Sequence, residues 1–204
     1  MLETVGSGKC RQDLPAGTCN FKSAERPAGG LDINESMAHF GAWAVVSSPL
    51  TLGHDLSNDA EYDAAWPVVS NRDAIMVNQV YAGDAGRLVA ESEETLDNLL
   101  LFHGAGCECP YPGSLPRWAV FAKRLDAGAK SAAAIAINFG NESLPAGSIR
   151  LGLEQLFGSP GAVGLAAERD VWRKADVPVD AAAPVGWVVA ELAPRSSYFA
   201  LLKR

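Results

Sequence analysis

The sequence predicts an α/β segment followed by an antiparallel β-sandwich. Three observations carry this. Over Met1 to Gln79 the apolar patterning alternates as strand, helix, strand, helix, the order of parallel α/β architecture. The composition changes near Gly83 to Gly86, and from Leu88 onward no long amphipathic helix appears. Short apolar runs then follow one another between turns, in a chain whose Gly 20 and Pro 12 are a high share for a helical bundle.

Met1 to Val5 reads as a short strand ended by a glycine turn. After a Gly/Pro-rich loop, Asp32 with Glu35 three residues on forms a capping box. Ile33, Met37, Phe40 and Ala44 continue it as one apolar helical stripe, widened by Trp43 and Val45 to Val46 and ended by Ser47, Ser48 and Pro49. Leu50 to Gly53 is a short apolar strand with His54 and Asp55 at its exit. Asp59 to Trp66 is a second helix, with Pro67 forcing a break or kink, and Arg72 to Asn78 continues helically. Only two such units are present, too few for a closed barrel or a stable open sheet. Downstream, Arg117 to Ala122, Ser131 to Phe139, Gly186 to Leu192 and Ser196 to Leu202 read as strands. Turns at Asp126 to Gly128 and Pro145 to Gly147 separate them, as in an antiparallel sandwich. Glu93 to Phe102 fits a helical turn or a strand.

The chain has 204 residues, 48% of them hydrophobic and 20% charged, which is the composition of a folded domain. Lys plus Arg is 17 against 24 for Asp plus Glu, a formal charge of -7. Such a chain has no general attraction for nucleic acid or anionic lipid. No apolar run reaches the roughly 18 residues of a spanning helix, and Met1 to Gly8 lacks the basic and apolar regions of a signal peptide.

Four cysteines form two local groups. Cys10 and Cys19 bracket eight residues containing Pro15 and Gly17, and Cys107 and Cys109 form a C-x-C. Zinc spacings ask for C-x2-C pairs or nearby histidines, and only His103 lies close. A Cys10–Cys19 disulfide, which would place the chain in an oxidising compartment, and four free thiols both fit the spacing.

His54 and Asp55 leave the end of an expected parallel strand, where α/β barrels place their sites. No nucleophile or second carboxylate accompanies them, so Asp55 as a turn cap and His54 packed on the loop is the weightier reading. His39 reads as a hydrogen-bonded core histidine and His103 as a loop residue. Glycoside hydrolysis needs two carboxylates about 5–5.5 Å apart for retention or about 6.5–9.5 Å for inversion. Glu93 with Glu94 and Glu61 with Asp63 are adjacent charges that read as solvated surface. Trp43, Trp118 and Trp187 sit within apolar runs and read as core. No G-x-S-x-G, P-loop or G-x-G-x-x-G occurs, and no metal or other cofactor is called for. The residues alone describe an α/β piece plus a β-sandwich without a self-contained active site.

Several stretches in one order are similar to the C-terminal part of the α-galactosidases (melibiases) of glycoside hydrolase family 27. Met1 to Gly6 (MLETVG) resembles D-M-L-E-V-G of the seventh barrel strand, and Glu35 to Ala44 (ESMAHFGAWA) resembles E-x-x-x-H-F-x-x-W-A of the seventh barrel helix. Ser48 to Leu56 (SPLTLGHDL) resembles S-P-L-x-L-G-N-D-L, with His54 for the usual Asn. Ser70 to Gln79 (SNRDAIMVNQ) resembles T-N-K-E-V-I-A-I-N-Q, after which Val80 and Tyr81 depart from the common D-P. Val120 to Leu125 (VFAKRL) resembles V-W-A-K-P-L, Ala134 to Gly140 resembles A-V-x-L-x-N-R-G, and Arg169 to Val177 resembles R-D-L-W-x-x-K-D-L. Leu192 to Lys203 is similar to the final sandwich strand.

The resemblance implies the last two βα units of a TIM (β/α)8 barrel over 1–86 and an antiparallel β-sandwich over 87–204. It implies a retaining hydrolase of terminal α-D-galactosides working through a covalent glycosyl intermediate, without cofactor, secreted or lysosomal/vacuolar, with a homodimer among its expected assemblies. The family's two catalytic aspartates and its sugar-binding Asp before Met-Leu match no position here, so this chain alone is expected to be inactive. Met1 is the position matching a residue of the galactose pocket, and its coincidence with an internal family Met suggests a partial coding sequence. Secretion agrees with an oxidised Cys10 to Cys19 loop. An α-N-acetylgalactosaminidase fragment and a non-enzymatic carbohydrate-binding or interaction sandwich are the alternatives. A two-strand barrel remnant leaves open edges, so Met1 to Gln79 is expected to be less stable than the sandwich.

Overall fold

Asp32 opens the first helix as its sequence requires. Its side chain accepts the Glu35 N–H at 2.9 Å, and the Glu35 carboxylate accepts the Asp32 N–H at 3.0 Å, a reciprocal capping box. The computed structural model describes residues 31–52, 59–97, 114–179 and 186–204. Helix α1 (Ile33–Val45) buries Phe40, Gly41, Ala44 and Val45. It closes at Val46, and Ser47 then takes a left-handed φ of 61°.

The strand expected at Leu50 to Gly53 does not form over its described part. Thr51 N–H turns back to the Pro49 carbonyl at 3.0 Å, which removes it from any ladder, and Leu52 makes only a single bridge. Gly53 and the Met1 to Val5 strand lie outside the described residues. Helix α2 (Asp59–Val69) runs through Pro67 instead of breaking there. The missing N–H would have bonded the carbonyl of Asp63, four residues back. Both residues are exposed, so water can serve that carbonyl, and the helix ends two residues later. Helix α3 (Arg72–Gln79) is capped by Asn71, whose side-chain oxygen accepts the Ala74 N–H at 3.1 Å.

Among the described residues, every strand pairing after Gly86 is antiparallel. The strands are β1 (Arg87–Glu91), β2 (Thr95–Asp97), β3 (Ser114–Pro116), β4 (Trp118–Arg124), β5 (Ser131–Asn138), β6 (Arg150–Leu151), β7 (Ala167–Asp170), β8 (Ala175–Val177), β9 (Trp187–Val188) and β10 (Ser197–Lys203), with a short helix α4 (Leu153–Phe157) after β6. One six-stranded sheet runs β1-β4-β5-β10-β7-β8, and β2-β3 and β6-β9 form separate pairs. Trp118 stands opposite Asn138, Phe199 opposite Ile135, and Ser131 opposite Lys203. The run Gly186 to Leu192 gives only two ladder residues. Its Val189 then bonds the Ile149 carbonyl at 3.1 Å and Leu192 bridges Leu144.

The sheet is covered on both faces. On one, Val120, Ala122, Ala132, Ala134, Ala136 and Leu202 share a core with the β6–β9 pair and α4. On the other, Ala133, Ile135, Ile137 and Phe199 pack with Phe40, Ala44 and Val45 of α1, Val68 of α2, and Ala74 and Val77 of α3. Strand β5 therefore feeds alternate side chains to two cores, and its seven residues from Ala132 to Asn138 are buried.

Candidate functional site

The residues marked in the sequence for chemistry fall mostly outside the described residues: Met1, Cys10, Cys19, His54, Asp55, His103, Cys107 and Cys109. His39 is described. It is half-buried on α1 with its ring edge-on to Trp43, centroids 5.6 Å apart. Trp187 is buried, as the sequence suggested, whereas Trp43 and Trp118 are only partly so.

Two arginines each bridge a pair of carboxylates. Arg117 reaches Glu94 at 2.9 Å and Glu142 at 3.4 Å, and Arg169 reaches Asp73 at 2.9 Å and Asp176 at 3.3 Å. The Glu94 and Asp73 hydrogen bonds, foremost, raise the Arg117 and Arg169 guanidiniums above their ordinary value. These carboxylates are committed to ion pairs, whereas glycoside hydrolysis needs two flanking a glycosidic bond. Asp126 accepts from the Ser131 hydroxyl and from the N–H groups of Lys130 and Ser131. Those bonds, the Ser131 hydroxyl foremost, hold its carboxyl below the usual range, so it is a turn anchor. Glu168 accepts the Tyr198 hydroxyl at 2.6 Å and the Trp187 indole N–H at 3.0 Å. Burial, reinforced by that carboxylate, pushes the Tyr198 phenol well above its ordinary value. Among the described residues no group of three or more His, Cys, Asp or Glu could hold a metal ion.

The built feature is instead a polar seam that seats the helices on the sheet. Lys123 on β4 is fully buried and donates to the carbonyls of Val77 at 2.6 Å and Asn78 at 3.2 Å. Burial lowers its pKa, with the Asp84 carboxylate pulling the other way. The Asn78 side chain donates to Ser48 O at 2.8 Å and weakly to Trp43 O at 3.4 Å. Asn71 donates to Val171 O at 2.8 Å, Arg195 meets Glu35 at 3.2 Å, and Gly86 N–H meets Val45 O at 3.1 Å. Sequence reasoning missed Lys123, because a lysine in a strand ordinarily reads as exposed. The available signal was its phase, since Lys123 lies two residues from Phe121 on the same strand face, the one packed beneath the helices.

No family model matches the chain. The chain is 32% identical over 91 residues to α-galactosidase mel1 of Schizosaccharomyces pombe, covering 45% of this chain and 20% of that protein. It superposes on α-galactosidase I from Mortierella vinacea with a TM-score of 0.61 at 14% identity, over 89% of this chain and 38% of that one. A candidate α-N-acetylgalactosaminidase from Bacillus halodurans superposes with a TM-score of 0.58 at 18% identity, over 93% of this chain and 37% of that one. The chain thus spans well under half the length of the proteins it matches. By sequence and by fold, it is similar to the C-terminal part of the α-galactosidases of glycoside hydrolase family 27.

Proposed function

We propose that the chain is the C-terminal portion of a retaining α-galactosidase that hydrolyses terminal α-D-galactosides in carbohydrate metabolism. The 91-residue stretch at 32% identity to an α-galactosidase carries this reading. In it, 1–86 is the end of a (β/α)8 catalytic barrel, 87–204 is the antiparallel C-terminal domain, and Met1 lines the sugar pocket. Secretion or a lysosomal/vacuolar location, a Cys10–Cys19 disulfide and a homodimer of the full-length enzyme belong to the same reading. The role of this portion is scaffolding: the buried seam holds the helical segment at a fixed pose on the sheet, and a barrel assembled on it inherits that pose. The likeness to a candidate α-N-acetylgalactosaminidase favours that activity as the second reading.

The purified chain should not hydrolyse an aryl α-galactoside, because a two-carboxylate mechanism needs both carboxylates. Grafted behind the N-terminal barrel portion of a related α-galactosidase, it should support turnover of the aryl α-galactoside in preference to the α-N-acetylgalactosaminide. Turnover by the chain alone, surviving removal of host glycosidases, would refute the proposal, as would a folded graft inactive on both substrates.

A further inference from the structure

The tripeptide Asn-Glu-Ser occurs twice, at Asn34 to Ser36 and at Asn141 to Ser143. Each is an N-x-Ser acceptor pattern for an asparagine-linked glycan. The fold separates them. Asn34 lies in the first turn of α1, Glu35 is engaged in the capping box, and Ser36 is 1% exposed with its hydroxyl making no hydrogen bond. Asn141, Glu142 and Ser143 are all exposed, in the irregular turn between the end of β5 and the Leu144–Leu192 bridge. Arg195 Nε donates to Asn141 Oδ1 at 2.7 Å, which engages the amide through its oxygen. The Glu142 carboxylate is drawn to Arg117 at 3.4 Å.

We propose that Asn141 is a site of asparagine-linked glycosylation. In the transfer, a bond forms between Asn141 Nδ2 and the anomeric carbon of an oligosaccharide. The bond from that carbon to a lipid-linked pyrophosphate breaks, the amide releases one proton, and the lipid pyrophosphate leaves with the electron pair. The product amide keeps Oδ1 and one N–H, so the Arg195 contact survives. The glycan, a bulky and solvated group, emerges from a turn where no buried side chain has to yield. At Asn34 the same group would sit on the first turn of a helix whose adjoining Ser36 packs inward.

The test is translation of the whole 204-residue chain behind a cleavable secretory leader in the presence of microsomes, with and without peptide N-glycosidase. One glycosidase-sensitive shift is expected, mapping to the peptide that contains Asn141. It should be lost in Asn141→Gln and in Ser143→Ala, and kept in Asn34→Gln. An unmodified wild-type chain overturns the proposal, as does a shift that persists in Asn141→Gln and vanishes in Asn34→Gln. Asn141 and Ser143 are exposed, so neither variant empties a buried site, and hydrolase activity plays no part in the readout.

Discussion

Lys123 Nζ lies 2.6 Å from the main-chain oxygen of Val77, so a strand side chain caps the C-terminal end of α3. A buried cation meets the negative end of a helix there. Asn78, whose own carbonyl shares the ammonium, reaches on to Ser48. Sheet, third helix and the exit of the first helix are joined in series.

Lys123→Met retains most of the stem volume and leaves the two carbonyls without their donor. A buried unsatisfied group costs about 1–3 kcal/mol, so the urea midpoint should fall by the equivalent of about 2 kcal/mol. Burial also sets the pH dependence, because the folded pKa lies below the ordinary 10.5. Between those two values the unfolded chain holds the proton more tightly, so this residue's contribution rises with pH and is lost as pH falls through the folded value. The advantage of wild type over Lys123→Met should therefore widen from neutral pH toward 10.5. A constant difference would contradict it.

Two glycines, Gly41 within α1 and Gly86 beneath it, should differ in what they tolerate. A Cβ on Gly86 would overlap the main-chain oxygen and carbon of Val45, whereas on Gly41 it would meet the Ile135 methyl at 2.5 Å and the Trp172 ring at 2.9 Å. Side-chain ends can shift and a helix backbone cannot. Overpacking costs about 1–3 kcal/mol, so Gly86→Ala should approach about 3 kcal/mol and Gly41→Ala about 1 kcal/mol. The reverse order in thermal melts would overturn this account.

Tyr198→Phe removes one of the two donors to Glu168 and should cost about 1 kcal/mol at neutral pH. In wild type the raised phenol pKa makes this contribution fully present below 10.0 and lost as pH rises above it, since only the unfolded chain ionises there. The gap between wild type and variant should close with rising pH. Absorbance titration of tyrosinate checks it independently: one late-ionising component should disappear in the variant.

The disulfide proposal rests on Cys10 and Cys19 alone. Closing a loop of that size is worth about 2–3 kcal/mol on the chain-entropy model. A non-reduced peptide map should link Cys10 to Cys19, whereas Cys107 and Cys109 would form a tight, strained ring with each other. A Cys10 peptide linked to Cys107 or Cys109 would rule out the local bridge.

What could be read from sequence was what local chemistry decides. The Asp32–Glu35 box fixed the start of α1, and the strands at Trp118, Ser131 and Ser197 followed from apolar runs bounded by turns. Elements set by their neighbours were harder. Leu50 to Leu52 has a strand's composition but, among the described residues, no ladder beyond the single bridge at Leu52, and Pro67 sits where a helix is about to end anyway. Trp187 to Leu192 is apolar because it roofs a core, and only its first two residues pair as a strand. The seam at Lys123 was hidden because its partners are backbone carbonyls 45 and 46 residues away, and carbonyls carry no sequence signature.

The alternation along β5 has a consequence for how the strand finds its place. Ala132, Ala134 and Ala136 face one core, and Ala133, Ile135 and Ile137 face the other. Ordinarily water tells a strand which way up to lie, but a strand apolar on both sides gets no such instruction. Slipping by one residue would swap the two sets. It would drive two isoleucines into the side already filled by Ile149, Leu156 and Trp187, and leave alanines facing Phe40. Alignment is thus stored as bulk, like the unequal wards of a key that turns in only one orientation.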